Sequence, residues 1–136
     1  MAKETGLGWT TCSVDDSGGT LRAIINDVNS MDFSTPRGVQ DVTGIDKSAM
    51  ERLLLLADFQ ITLSGTFNDA ATTGAHTVLS TISSTSVART TTLVVSAQTL
   101  TNEAMYSDYA LTRAATGELT WTAPGQLSDG TVPTWA

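Results

Sequence analysis

Side chains able to do covalent or acid–base chemistry are few and scattered. His76 is the only histidine among the 136 residues, and a general base needs a nucleophile within hydrogen-bond reach and a carboxylate to orient it. Ser80 stands at helical spacing from His76, but no Gly-x-Ser-x-Gly elbow accompanies it. His76 is therefore read as a surface or cap histidine. Asp15-Asp16 beside Ser-Gly-Gly lacks the regular oxygen-ligand spacing of a calcium loop and reads as a solvated hairpin turn. Cys12 has no partner cysteine, so neither an intrachain disulfide nor a Cys/His zinc set can form. Alternating with Thr11 and Ser13, it reads as a small buried apolar residue. The fourteen acidic residues allow many carboxylate pairs and single out none for glycoside hydrolysis. Trp9, Trp121 and Trp135 read first as core or interface anchors, and second as a sugar-stacking platform. No catalytic residue, cofactor or metal ligand is assigned, and the chain is expected not to be an enzyme.

Composition narrows the class further. The length suits a single domain over residues 1–136 with one core. A hydrophobic fraction of 40% with only 15% charged residues argues against disorder. The formal charge of −7 leaves no basic patch of the kind that holds nucleic acid phosphates. The start of the chain has no apolar signal segment, and the longest aliphatic run, Leu53 to Ala57, is too short to span a membrane. A cytosolic site of synthesis and no membrane binding by this chain are the expectations.

Abundant Ser and Thr, the latter β-branched, tilt the chain toward strands. Trp9 to Val14 reads as a first strand, Asp15 to Gly19 as a hairpin turn, and Leu21 to Ile25 as the returning strand. That strand is expected to continue toward Phe33, with a bulge or a change of buried face near Asn26, Asp27 and Asn29. Phe59 to Phe67 alternates strictly, with Ile61, Leu63 and Gly65 on one face. Ala75, Val78, Leu79 and Ile82 have the spacing of a short amphipathic helix. Further strands are expected at Arg89 to Ala97, Met105 to Thr112 and Glu118 to Ala123, then a turn-rich C-terminal segment, 124–136, with Trp135 docked. No internal repeat is present.

The least ordinary stretch is Ser34 to Met50, a polar excursion punctuated by Pro36, Gly38 and Gly44. A loop of that length in a compact domain is normally functional or disordered. Its interspersed Val39, Val42, Ile45 and Met50 and its mixed charges suit a segment lying against another copy of the chain. At its end, Ser48-Ala-Met-Glu51 is a capping-box pattern, so residues 49–57 are either a short helix or the start of the strand that follows.

These segments carry a resemblance. Asp32-Phe-Ser-Thr-Pro-Arg37, then Gln40 to Phe59, the strand and Phe-Asn-Asp turn at 61–69, the short helix and Gly117-Glu-Leu-Thr-Trp121 together resemble the major tail protein, or tail tube protein, of long-tailed bacteriophages with non-contractile tails, particularly those of actinobacterial hosts. The order of elements matches over nearly the whole chain, and the residue match concentrates in its central third. The resemblance implies a mostly β fold: a two-sheet β-sandwich or barrel, one short flanking α-helix and a long inter-strand loop. It implies a structural subunit of the virion tail, assembled in the host cytoplasm. Hexameric rings would stack around a tape-measure protein and meet tail terminator and distal tail proteins. The implied stacking loop is 34–50, with Phe33, Thr35, Pro36, Arg37, Val39, Asp41, Val42, Ile45, Asp46, Lys47 and Met50 at the interface. Lumen-facing acids would be drawn from Asp27, Asp58, Asp108 and Glu118, whose like charge lets DNA pass without adhering. A tube subunit of a contractile tail or bacteriocin-like particle, and a carbohydrate- or cell-surface-binding β-sandwich, are the alternatives.

Overall fold

The computed structural model describes residues 3–136. Its elements in chain order are β1 (Trp9–Asp15), β2 (Leu21–Ala23), a 3-10 turn (Ile25–Asp27), β3 (Val28–Ser34), β4 (Arg37–Asp41), β5 (Arg52–Ala57), β6 (Gln60–Thr66), α1 (Ala75–Leu79), β7 (Arg89–Val95), β8 (Gln98–Tyr106), β9 (Ala110–Arg113) and β10 (Leu119–Leu127). The expected mostly β fold with one short helix is what forms. Eight strands make one antiparallel sheet in the order β2-β1-β7-β8-β10-β6-β3, with β9 also on β10, while β4 and β5 pair only with each other.

The two expected layers are thus one hydrogen-bonded sheet folded over a common core. The fold turns at β10, whose one edge is covered by β6 throughout while the other is shared. β9 covers that edge over Leu119 to Thr122, and β8 covers it over Gly125 to Leu127. Pro124 stands in the gap between them, where its missing N–H leaves no ladder bond unmade. Buried Val14, Leu93, Leu100 and Tyr106 from one layer join Ile61, Leu63, Trp121 and Ala123 from the other, with Val78 and Leu79 of α1 closing one end. At the other end Trp9 of β1 meets Phe33 of β3 edge to face, with ring centroids 5.7 Å apart.

Two local readings are corrected and one open alternative is resolved. The chain does not run from β2 into β3 as one bulged strand. The 3-10 turn intervenes, and β3 pairs with β6 instead of β1. Asp27, in that turn, explains the break: only 5% exposed, its carboxylate accepts from the Ala75 backbone N–H at 2.8 Å and from Asn68 Nδ2 at 2.9 Å. It is fixed beneath the helix N-terminus and is withdrawn from the candidate lumen-facing acids. Second, residues 52–57 are strand, so the capping-box pattern at 48–51 starts no helix. Third, Gln98 to Tyr106 is a single long strand, which the sequence reading entered only at its last residues. The two-residue turn before it places Ser96 and Ala97 at φ 47 and 68, a left-handed pair usually marked by Asn-Gly and here unmarked.

Candidate interaction surface

The predicted long loop is a β-ribbon. β3 runs through Thr35-Pro36 into β4, and β5 runs through Asp58-Phe59 into β6, so the β3–β6 pair is prolonged beyond the sheet by β4–β5. Asp58 secures the junction: its N–H donates to Pro36 O at 2.9 Å, and its carboxylate accepts from the Phe59 N–H at 2.8 Å. Phe33 anchors the root, with ring centroids 6.2 Å from Phe59 and 6.0 Å from Trp135. Trp135 itself is docked by an isolated bridge to Leu100 and by paired backbone bonds between Thr99 and Ala136.

Beyond this root the arm pairs with no further strand among the described residues. Leu53 and Leu54, consecutive strand residues, point to opposite faces, and with Leu55 and Leu56 all four are exposed, Leu56 by 91%. Val39, Val42, Ile45 and Met50 are exposed as well. An isolated two-stranded ribbon is marginal in water, and a contiguous apolar patch rimmed by polar groups marks an interaction surface. Both edges of the arm also carry unpaired backbone groups.

Side chains of the arm order it from within. Arg37 pairs with Ala57, but Val39 pairs with Leu54, so β5 bulges at Leu55-Leu56. The Arg37 guanidinium meets the carbonyls there, donating from Nε to Leu55 O at 2.8 Å and from Nη2 to Leu54 O at 3.4 Å. At the tip, the Thr43 N–H and hydroxyl donate to Asp41 Oδ1 at 2.9 and 2.6 Å, and the Glu51 N–H donates to Thr43 Oγ1 at 2.8 Å. Those Thr43 bonds, side chain first, hold the Asp41 carboxyl below its usual value. Lys47 and Asp46 approach to 3.9 Å and are otherwise solvated. Thr35 and Pro36 are exposed in the connection.

Arg37, Lys47 and Arg52 balance Asp41, Asp46 and Glu51 within residues 35–57, so the whole net charge of −7 belongs to the rest of the chain. The arm is neutral and apolar; the body is acidic. Asp108 and Glu118 lie exposed on the body, Asp108 accepting from the Tyr109 N–H at 2.8 Å. Asp58 is half-buried at the arm root.

The residues singled out for chemistry are not assembled into a catalytic set. His76 Nδ1 is bonded with Tyr109 Oη at 3.2 Å, and its ring packs on Phe67 at 4.9 Å. Asp16 shapes its turn, accepting from the Gly18 and Thr20 N–H groups at 2.9 and 3.0 Å and from Arg22 Nε at 3.1 Å. Cys12 is buried, and burial pushes its thiol up to about 12. Trp121 is 1% exposed and donates from its indole to Thr66 O at 3.0 Å, so it offers no ring to a sugar. No helix among the described residues is long and apolar enough to cross a membrane.

No protein-family model matches the chain, and no curated protein matches it. Solved structures do. A chain in the virion of a native gene transfer agent particle superposes with a TM-score of 0.77 at 14% identity, over 98% of this chain and 99% of that one. A chain in the tail of an empty gene transfer agent particle, described with C6 symmetry, gives 0.78 at 14% identity over 98% and 99%. The protein shares the fold of these chains over 98% of its length.

Proposed function

We propose that the chain is the tail tube subunit of a phage-like particle with a long, non-contractile tail. Six copies form a ring, and rings stack around a tape-measure protein into a conduit that later passes DNA. The tail terminator and distal tail proteins close its ends. The observation that carries this reading is the β4–β5 arm, which has exposed leucines on both faces and is hydrogen-bonded to no other strand among the described residues. Each leucine removed from water contributes about 2 kcal/mol, and self-association is the simplest way to remove four of them. The fold shared with subunits of a C6-symmetric tail supports the same reading. In such a tube the acidic bodies surround the lumen, with Asp58, Asp108 and Glu118 as candidate lumen acids that leave DNA without a foothold. The role is structural, not catalytic, and belongs to the virion, with assembly in the host cytoplasm.

The test is to replace residues 38–56 by an Asn-Gly turn closing on the Arg37 and Ala57 pair. The body should keep its thermal transition while tube formation is lost. Normal tubes from this variant would remove the arm from the assembly.

A further inference from the structure

We propose that a groove at the base of the arm receives the arm tip of a second copy, with Ile45 as the inserted side chain. The proposal rests on the tube-subunit reading and names the contact that stacks its copies. The groove, of about 460 Å³, is lined by Arg37, Leu54, Leu55, Leu56, Ala57 and Val132. It is a composite of the arm and the C-terminal segment, and Val132 stands 64% exposed on its wall. Arg37 is its only charged residue.

The matching part is on the same chain. Ile45 is fully exposed at the arm tip between Gly44 and Asp46. Around it, residues 41–51 hold Asp41, Asp46 and Glu51 against Lys47 alone, so the tip is net negative where the groove is positive. Opposite potentials at a contact fix its register and reject wrong partners. Tip and groove cannot meet within one molecule, because β4, with five residues, separates them by about 17 Å at ~3.3 Å per residue. The contact is therefore between copies and heterologous: every copy offers a tip and a groove, and the chain of contacts propagates instead of closing on a pair.

The experiment uses full-length I45C and V132C proteins joined by a short bismaleimide, which links two thiols without an oxidant. The native Cys12 is buried and silent. The proposal expects covalent dimers from the mixture of the two variants, at least tenfold above either variant alone. A second arm examines V132E and I45E, both changes at exposed positions: each should abolish growth alone, and their mixture should give species that pair once and stop. Tubes from the wild-type chain without cross-linking in the mixture would overturn the tip-in-groove contact while leaving the tube reading intact. Cross-linking without any tubes would do the opposite. Dimers of I45C alone would mean a tip-to-tip contact and would overturn the proposal.

Discussion

Arg37 donates to the Leu55 carbonyl across the one bulge in the arm, at 2.8 Å. The bulge lies at Leu55-Leu56, and a single guanidinium collects the Leu54 and Leu55 carbonyls beside it. The same side chain lines the groove at the base of the arm. Arg37 therefore contributes both to the local order of the ribbon and to the wall of the groove.

Replacing Arg37 by Ala should loosen the arm and leave the body intact. A hydrogen bond of this kind contributes about 1 kcal/mol net, so exchange of the Gln40 and Leu53 amides, which face each other across the ladder beside the bulge, should speed up about fivefold. Arg37→Lys, with one charged head in place of a fork, should recover only part of the protection. Hydrogen exchange followed by mass spectrometry reads both. Equal exchange in all three proteins would show that the bulge needs no clamp.

The arm tip should loosen in acid. The Asp41 pKa is lowered by its bonds from Thr43, and a lowered folded-state pKa means the carboxylate's contribution is fully present above the ordinary carboxylate value. It is lost as pH falls through the lowered one. The Thr43 amide resonance should follow that titration, and Asp41→Asn should abolish it. A Thr43 amide indifferent to pH, or one that titrates at the ordinary value, would contradict the tip geometry.

Gly65 should tolerate no side chain. A Cβ there would lie 1.7 Å from the Asp27 carbonyl oxygen and 3.1 Å from the Trp121 ring, where β3 and β6 pass closest to the 3-10 turn. Neither neighbour can move without disturbing the core, so Gly65→Ala should cost at least about 3 kcal/mol. At ~3 °C per kcal/mol for a domain of this size, the melting temperature should fall by about 10 °C or the protein should fail to fold. A shift under a few degrees would rule out this packing.

Cys12 should be inert in the native protein. Buried and held protonated by burial, with its pKa pushed up to about 12, it gives no thiolate at pH 8. A chromogenic disulfide reagent should find no thiol until denaturant is added, then one per chain. Immediate native reaction would place Cys12 at the surface.

Much of the body was legible because periodicity and burial agree. Ile61, Leu63 and Gly65 alternate inward along β6 as the pattern predicts, and the Asp16 turn lies where its Gly and Asp residues point. The misses have physical causes. Ser96 and Ala97 adopt a turn that their types disfavour, so the long β8 strand behind them carried no start signal. Asp27 looked like one more surface acid because its partners, Asn68 and Ala75, are more than forty residues away in sequence. The Leu53 to Leu56 run is ambiguous by itself, since four leucines with no polar alternation fit a buried helix as readily as a strand. Only the pairing with β4 decides it. Residues 34–50 read in the sequence as a polar excursion with interspersed apolar residues, and its ribbon form and the Arg37 clamp are tertiary facts with no local signature.

The central claim is that copies of this chain build a hollow tube through the arm. Electron microscopy of the concentrated wild-type protein beside the arm-replaced variant tests it most directly. The account predicts sixfold rings or hollow tubes in the first grid and dispersed subunits or unstacked rings in the second. Dispersed particles of single-chain size in both, under conditions where tape-measure protein is supplied as nucleus, would contradict it.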